Sequence, residues 1–194
     1  VWTRYADVVA DSLFMQKQSF SGATPLTGDD WTTNSIYNNR YALDDEHHIS
    51  AEFYGSANNT WLLSPQIALP FVAGEEHIYY SMDIALTKYN SGEAYTPTKD
   101  DAFLMAVSLD GGVTWNKEDA IIWKNGDSES TYALSDIPNG KGTSLRLDFT
   151  KYQGHTIQIA WGIQSSYDGM GRLHIDNVSL LSTSSRCLCG SEVR

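Results

Sequence analysis

Eight residues, Ser108-Leu109-Asp110-Gly111-Gly112-Val113-Thr114-Trp115, constrain the fold more than any other stretch. They lie between two apolar runs, residues 102–107 and 120–123, and both runs read as strands. Asp-Gly-Gly supplies a carboxylate that can accept from nearby backbone N–H groups. It also supplies two residues that tolerate positive φ, as a tight β-turn requires. Trp115 falls where the returning strand packs back on the turn. The chain therefore reverses here as an antiparallel hairpin.

The β signal extends well beyond that hairpin. Residues 49–54 and 76–86 alternate apolar and polar, the second through His77-Ile78-Tyr79-Tyr80-Ser81-Met82-Asp83-Ile84. Further strands are expected at 60–69, 132–136, 144–148, 156–163 and 171–181, with Gly, Asn and Pro between them. This spacing predicts an all-β fold, an antiparallel β-sandwich of the jelly-roll type with few or no helices. Residues 5–15 have helical character without a strong cap, so 1–18 reads as an N-terminal strand or a lead-in segment. The sandwich domain is expected over 19–181, with 182–194 a Ser-rich C-terminal tail.

At 194 residues the chain suits one domain, and a core of that size needs no disulfide. Cys187 and Cys189 are separated by one residue; a bridge there is strained, and two thiolates alone do not close a zinc site. The formal charge is −11, with 13 Lys and Arg against 24 Asp and Glu. That balance excludes a nucleic-acid footprint and attraction to an anionic membrane. The most apolar stretch, 61–73, carries two prolines and is too short to span a bilayer, so no membrane insertion is expected. The chain starts at Val1 with no signal-like segment and reads as a processed or excised piece, a monomeric module of a larger protein.

Four segments, taken in order, resemble one family. Trp61-Leu62-Leu63-Ser64-Pro65-Gln66-Ile67-Ala68-Leu69 is similar to the strand "W-L-(I/L)-(S/T)-P-x-I-x-L" of cleaved-adhesin and choice-of-anchor J domains. Residues 107–115 resemble their "V-S-x-D-G-G-x-T-W" hairpin, which also has the spacing of the Asp-box of sialidases, usually a structural element. Residues 147–161 resemble their "D-L-S-x-Y-x-G-x-x-V-x-I-A-(W/F)" segment. Leu173-His174-Ile175-Asp176-Asn177-Val178-Ser179-Leu180 resembles their closing "L-x-I-D-N-V-x-L". The resemblance implies a MAM-like, galactose-binding-like jelly roll: a non-catalytic carbohydrate-binding or adhesion module of a secreted or cell-surface bacterial protein. It also implies structural calcium, with Asp176 as a ligand. The family's opening "F-E-x-G" acid is replaced here by Ser21, so a site that needs both acids loses one donor.

Calcium takes six to eight hard oxygens. Asp29 and Asp30 join Asp176 as candidate ligands, because the loops of a sandwich converge at its ends. His47 and His48, beside Asp44, Asp45 and Glu46, invite a transition-metal reading. Neighbours on a strand point to opposite faces, however, and a solvated loop explains them more simply.

Sugar binding needs planar rings flanked by hydrogen-bonding groups. With six Trp, eleven Tyr and six Phe to place, the best such neighbourhoods are Trp31 with Tyr37, Asn39 and Arg40; Tyr89 with Tyr95; and Tyr167 with Arg172. Trp61, Trp115 and Trp161 lie in strand motifs and are assigned to the core. The expected partner is a glycan or a host or cell-surface protein. Two other readings stand beside this one: a protein-interaction or spacer module without a small ligand, and a jelly-roll glycoside hydrolase. The hydrolase would need two facing carboxylates, for which Glu52, Glu93 and Glu118 are the candidates beside the many Asp. No G-x-S-x-G, HExxH or Glu-x-Asp-x-x-Glu pattern occurs.

Overall fold

A computed structural model describes residues 9–18, 32–33, 41–43, 49–53, 60–89, 91–137, 143–165 and 170–184. Twelve strands run through them in chain order: β1 (Val9–Gln18), β2 (Thr32–Thr33), β3 (Tyr41–Leu43), β4 (Ile49–Phe53), β5 (Thr60–Leu63), β6 (Ile67–Ala68), β7 (His77–Lys88), β8 (Ala102–Ser108), β9 (Ala120–Lys124), β10 (Thr143–Asp148), β11 (Thr156–Gln164) and β12 (Gly171–Ser184). Only short 3-10 turns interrupt them among the described residues, and no helix is long and apolar enough to cross a membrane.

The strands form two antiparallel sheets, ordered β10-β7-β12-β4-β3 and β2-β5-β11-β8-β9. β12 is long enough that β4 borders its first half while β1 pairs with its second, from Val178 to Ser184. Val9–Gln18 is therefore strand, and the helical character of the sequence there is overridden by pairing. Pro65 splits the expected strand 60–69 into β5 and β6, since proline cannot donate to the β11 ladder. Ser64 restores the join, its hydroxyl accepting the Ile159 N–H at 2.9 Å.

Alternation in β7 puts Ile78, Tyr80, Met82 and Ile84 inside, where they meet Trp161, Ile159 and Ile157 of β11. Burial raises the Tyr80 phenol well above its ordinary range, and the neighbouring Trp161 indole offsets part of that. Each fully buried side chain of this size contributes about 1.5–3 kcal/mol of transfer free energy. The expected sandwich is the fold observed. The strand expected at 132–136 is not: Tyr132 makes one isolated bridge to Trp123, and Leu134–Asp136 is a 3-10 turn.

Candidate functional site

The strand directions define two ends of the sandwich. At one end lie the 69–76 connection, the β8–β9 loop and the β10–β11 loop. At the other lie the last residues of β4, β7, β9 and β11, the first residues of β5, β8, β10 and β12, and the 91–101 connection.

The first end is built around Asp110. Its carboxylate accepts the Ser108 hydroxyl at 2.7 Å, the N–H groups of Val113 and Thr114 at 3.0 and 2.8 Å, and the Thr114 hydroxyl at 2.7 Å. Chiefly through the Thr114 hydroxyl and N–H, and then the Ser108 hydroxyl, these bonds hold its pKa down at about 2. Gly111 and Gly112 take φ of 70° and 97°, and a Cβ on Gly112 would collide with Gln158. The turn chemistry is thus as expected, but Trp115 is not core. The backbone leaves the ladder at Ser108 and returns at Ala120, so Trp115 sits in the loop, 38% exposed. Trp161 is buried as assigned, and Trp61, partly buried, covers Gly162.

The second end gathers three of the candidate ligand residues. Arg172, near the start of β12, donates to Glu52 of β4 at 3.1 Å and lies 4.6 Å over the Tyr89 ring. The ladder positions the pair, with Arg172 opposite Glu52 on one side and Thr87 on the other. Such stacking and forked donation are what guanidinium offers over ammonium. The Tyr89 N–H is fixed by the Met170 carbonyl at 2.9 Å.

Tyr95 stands beside them with a different task. Its ring stacks on Phe53 at 6.3 Å and covers Gly171, where any Cβ would strike it. Its hydroxyl donates to buried Asp101 at 2.7 Å, and burial together with that carboxylate raises the phenol's pKa. Tyr95 therefore closes the end of the core.

Trp31, Tyr37, Asn39, Arg40 and Tyr167 lie outside the described residues, as do Asp29, Asp30, His47 and His48. Asp176 is described. It faces Asp83 across β12 and β7, at a bulge where Asn177 adopts φ 52°. The Asn177 amide donates to Asp83 at 2.7 Å and to Asp176 at 3.3 Å, and Ser144 donates to Asp83. Two carboxylates directly opposite would repel, and the amide between them relieves that. Among the described residues this set falls short of calcium's six oxygens, and no group of three acidic, His or Cys side chains gathers. The same bonds occupy the Asn177 side chain within β12.

A hydrolytic centre is not evident in the described residues. His77 meets Asp148 at 3.2 Å and Thr150 at 3.4 Å, but through the same ring nitrogen, so it cannot relay a proton from one to the other.

Sequence reasoning missed a lateral cleft of about 150 Å³ between edge strands β9 and β10, lined by Ile84, Trp123, Tyr132, Asp136, Ile137, Ser144 and Leu145. A column of rings leads into it from the core, Phe103 to Trp123 at 5.1 Å and Trp123 to Tyr132 at 5.5 Å. Tyr132, the outermost, is 42% exposed.

The class this architecture defines is the jelly-roll β-sandwich. Among solved structures the chain is similar to the K3 cleaved adhesin domain of Lys-gingipain from Porphyromonas gingivalis W83, with a TM-score of 0.50 and 11% identity over 84% of this chain and 96% of that one. It is also similar to the K2 cleaved adhesin domain of Lys-gingipain, with a TM-score of 0.44 and 15% identity over 87% and 98%. The CBM22-1 xylan-binding domain from Paenibacillus barcinonensis gives 0.46 and 14% over 93% and 99%. The likeness to cleaved adhesin domains expected from the motifs is thus found in the fold. No protein-family model matches the chain, and no curated protein matches it in sequence.

Proposed function

We propose that this domain is a non-catalytic carbohydrate-binding module and that the loop end of the sandwich is its binding face. The observation that carries the reading is the assembly of Arg172, Glu52 and Tyr89. A guanidinium stands 4.6 Å over a ring and is tethered to a carboxylate, and strand ends on one sheet position all three. Such a unit presents forked donors, acceptors and a ring edge to sugar hydroxyls with little reorganisation. Trp31, Tyr37, Asn39, Arg40 and Tyr167 complete the proposed face, and Tyr95 holds it in place from below. The proposed setting is a secreted or cell-surface bacterial protein that carries the domain as a monomeric module. Asp176, Asp29 and Asp30 are the residues that would hold the structural calcium the resemblance implies.

The test is a glycan array with and without EDTA, followed by titration of the hits against Tyr89→Ala and Arg172→Ala. Saturable binding weakened about tenfold or more by either change supports the reading, and EDTA sensitivity supports the calcium part. Binding that ignores both substitutions removes the loop end from the proposal. A second reading, recognition of a protein partner, rests on the opposite end, where Phe71 and Val113 are each 80% exposed.

A further inference from the structure

The lateral cleft has the composition of a sugar subsite rather than of a packing defect. Its walls are Ile84, Ile137 and Leu145, and its exposed ring is Tyr132, held in orientation from behind by Trp123 at an interplanar angle of 26°. A ring braced in this way offers an apolar face without a rotamer cost on binding. Its volume of about 150 Å³ is roughly ten times what one water needs and smaller than a drug-sized pocket, which suits a single sugar ring and not a chain of them.

The polar groups of the cleft are few and unspent. Asp136 accepts the Ala133 N–H through Oδ2 at 3.2 Å, and its other oxygen has no partner among the described residues. The Tyr132 hydroxyl has none either. Ser144 uses its proton on Asp83, so its lone pairs are left to accept from a ligand. Among the described lining residues Tyr132, Asp136 and Ser144 can therefore accept, the only charge among them is negative, and Asp83 lies just behind Ser144. A ligand with an apolar face and several hydroxyl donors suits this set, and an anionic one is repelled.

We propose that this cleft is a second, separate binding site for one neutral pyranose residue. The sugar's C–H face lies on Tyr132 and its hydroxyls donate to Asp136 and Ser144. The proposal rests on the reading of the domain as a sugar binder, but on none of the loop-end residues.

The experiment is a titration of the full chain with neutral methyl pyranosides (glucoside, galactoside, mannoside and xyloside) and with methyl glucuronide, followed by intrinsic tryptophan fluorescence and by NMR shifts of the methyl groups of Ile84 and Leu145. The expected result is saturable binding of at least one neutral glycoside with shifts at those methyls. Tyr132→Ala and Asp136→Asn should weaken the binding read at those methyls about tenfold, while the glucuronide fails to shift them. Asp136→Asn preserves the shape of the cleft, so it decides the question if Tyr132→Ala does not fold. Binding lost with Arg172→Ala and untouched by Asp136→Asn overturns the cleft proposal while the domain remains a sugar binder. Equal binding of the glucuronide overturns the assignment to neutral sugars. No binding of any glycoside, with no hit on a glycan array, overturns both readings.

Discussion

Two carboxylates, Asp110 at the hairpin end and Asp136 in the lateral cleft, contrast a structural turn with the proposed second binding site. Asp110 receives four hydrogen bonds from its own loop, and both of its oxygens are engaged. Asp136 receives one, from the Ala133 N–H at the start of its own 3-10 turn. Both are solvent-facing and both sit in turns, so exposure does not distinguish them. The difference lies in unused hydrogen-bonding capacity. A group whose partners are all intramolecular holds the fold; one with spare lone pairs beside an exposed ring is free to hold something else. Arg172 lies between these extremes: its guanidinium is tethered to Glu52, and its Nε, though shielded, has no partner among the described residues.

That contrast breaks most visibly at Asp110. Asp110→Ala removes the acceptor for two backbone N–H groups and two hydroxyls at once, and of the single substitutions at either end it should lower the thermal midpoint most. Glycan affinity of the surviving folded protein should stay unchanged. A calorimetric scan paired with a binding titration checks both halves, and lost affinity in a folded Asp110→Ala protein would join the two ends functionally.

The same carboxylate sets an acid limit. Its folded pKa, about 2, lies below the ordinary 3.8. Its stabilisation is therefore complete above about pH 4 and is lost as pH falls towards 2. Melts across that window should show a steeper fall in stability for the parent protein than for Asp110→Asn, which carries no titrating group there. Parallel curves would mean that the loop is not held by the charged form. Next in size comes Tyr95→Phe, which deprives buried Asp101 of a donor and should cost about 1–3 kcal/mol. Denaturant titration measures this, with sugar binding retained if Tyr95 only supports the face.

How much of this is legible in the chain depends on how local each feature is. β7 can be read because alternation carries its burial directly, and the Asp110 loop because its partners lie within four residues. Tyr132–Asp136 misleads because Tyr132, Leu134 and Asp136 mimic a period of two, whereas the buried pair is Leu134 and Ile137, three apart, as a 3-10 turn requires. Trp115 misleads because the motif fixes the turn but not where the strand resumes. At the loop end, Tyr89, Tyr95 and Arg172 each stand out through their own sequence neighbours, and only the fold joins them. Glu52 reads from sequence as a hydrolase carboxylate and not as the partner of Arg172, since 120 residues separate the two. The cleft is invisible for the same reason: its lining comes from four segments, and no short window contains two of its walls.

Arg172→Lys sharpens the comparison at the loop end. The ammonium keeps the charge facing Glu52 but loses the delocalised guanidinium over Tyr89 and the second donor of the fork. Glycan binding should weaken by less than with Arg172→Ala, while thermal stability stays the same. Equal affinity would assign the role to charge alone.

The smallest effect is expected from the most conspicuous ion pair near that site. Lys88 and Glu93 meet at 2.6 Å, and the carboxyl is held below its usual range by the Lys88 ammonium's hydrogen bond and charge. Both side chains are more than half exposed, however, so solvent screens the pair and side-chain entropy opposes it. The turn it spans is already closed by the Lys88 N–H donating to the Glu93 carbonyl at 2.9 Å. Glu93→Gln retains a hydrogen-bonding side chain and should leave the thermal midpoint and glycan affinity within measurement error at physiological salt. A clear loss of affinity in that variant would show that the loop following Tyr89 touches the sugar itself, and the binding face would then extend outward along the 89–101 connection.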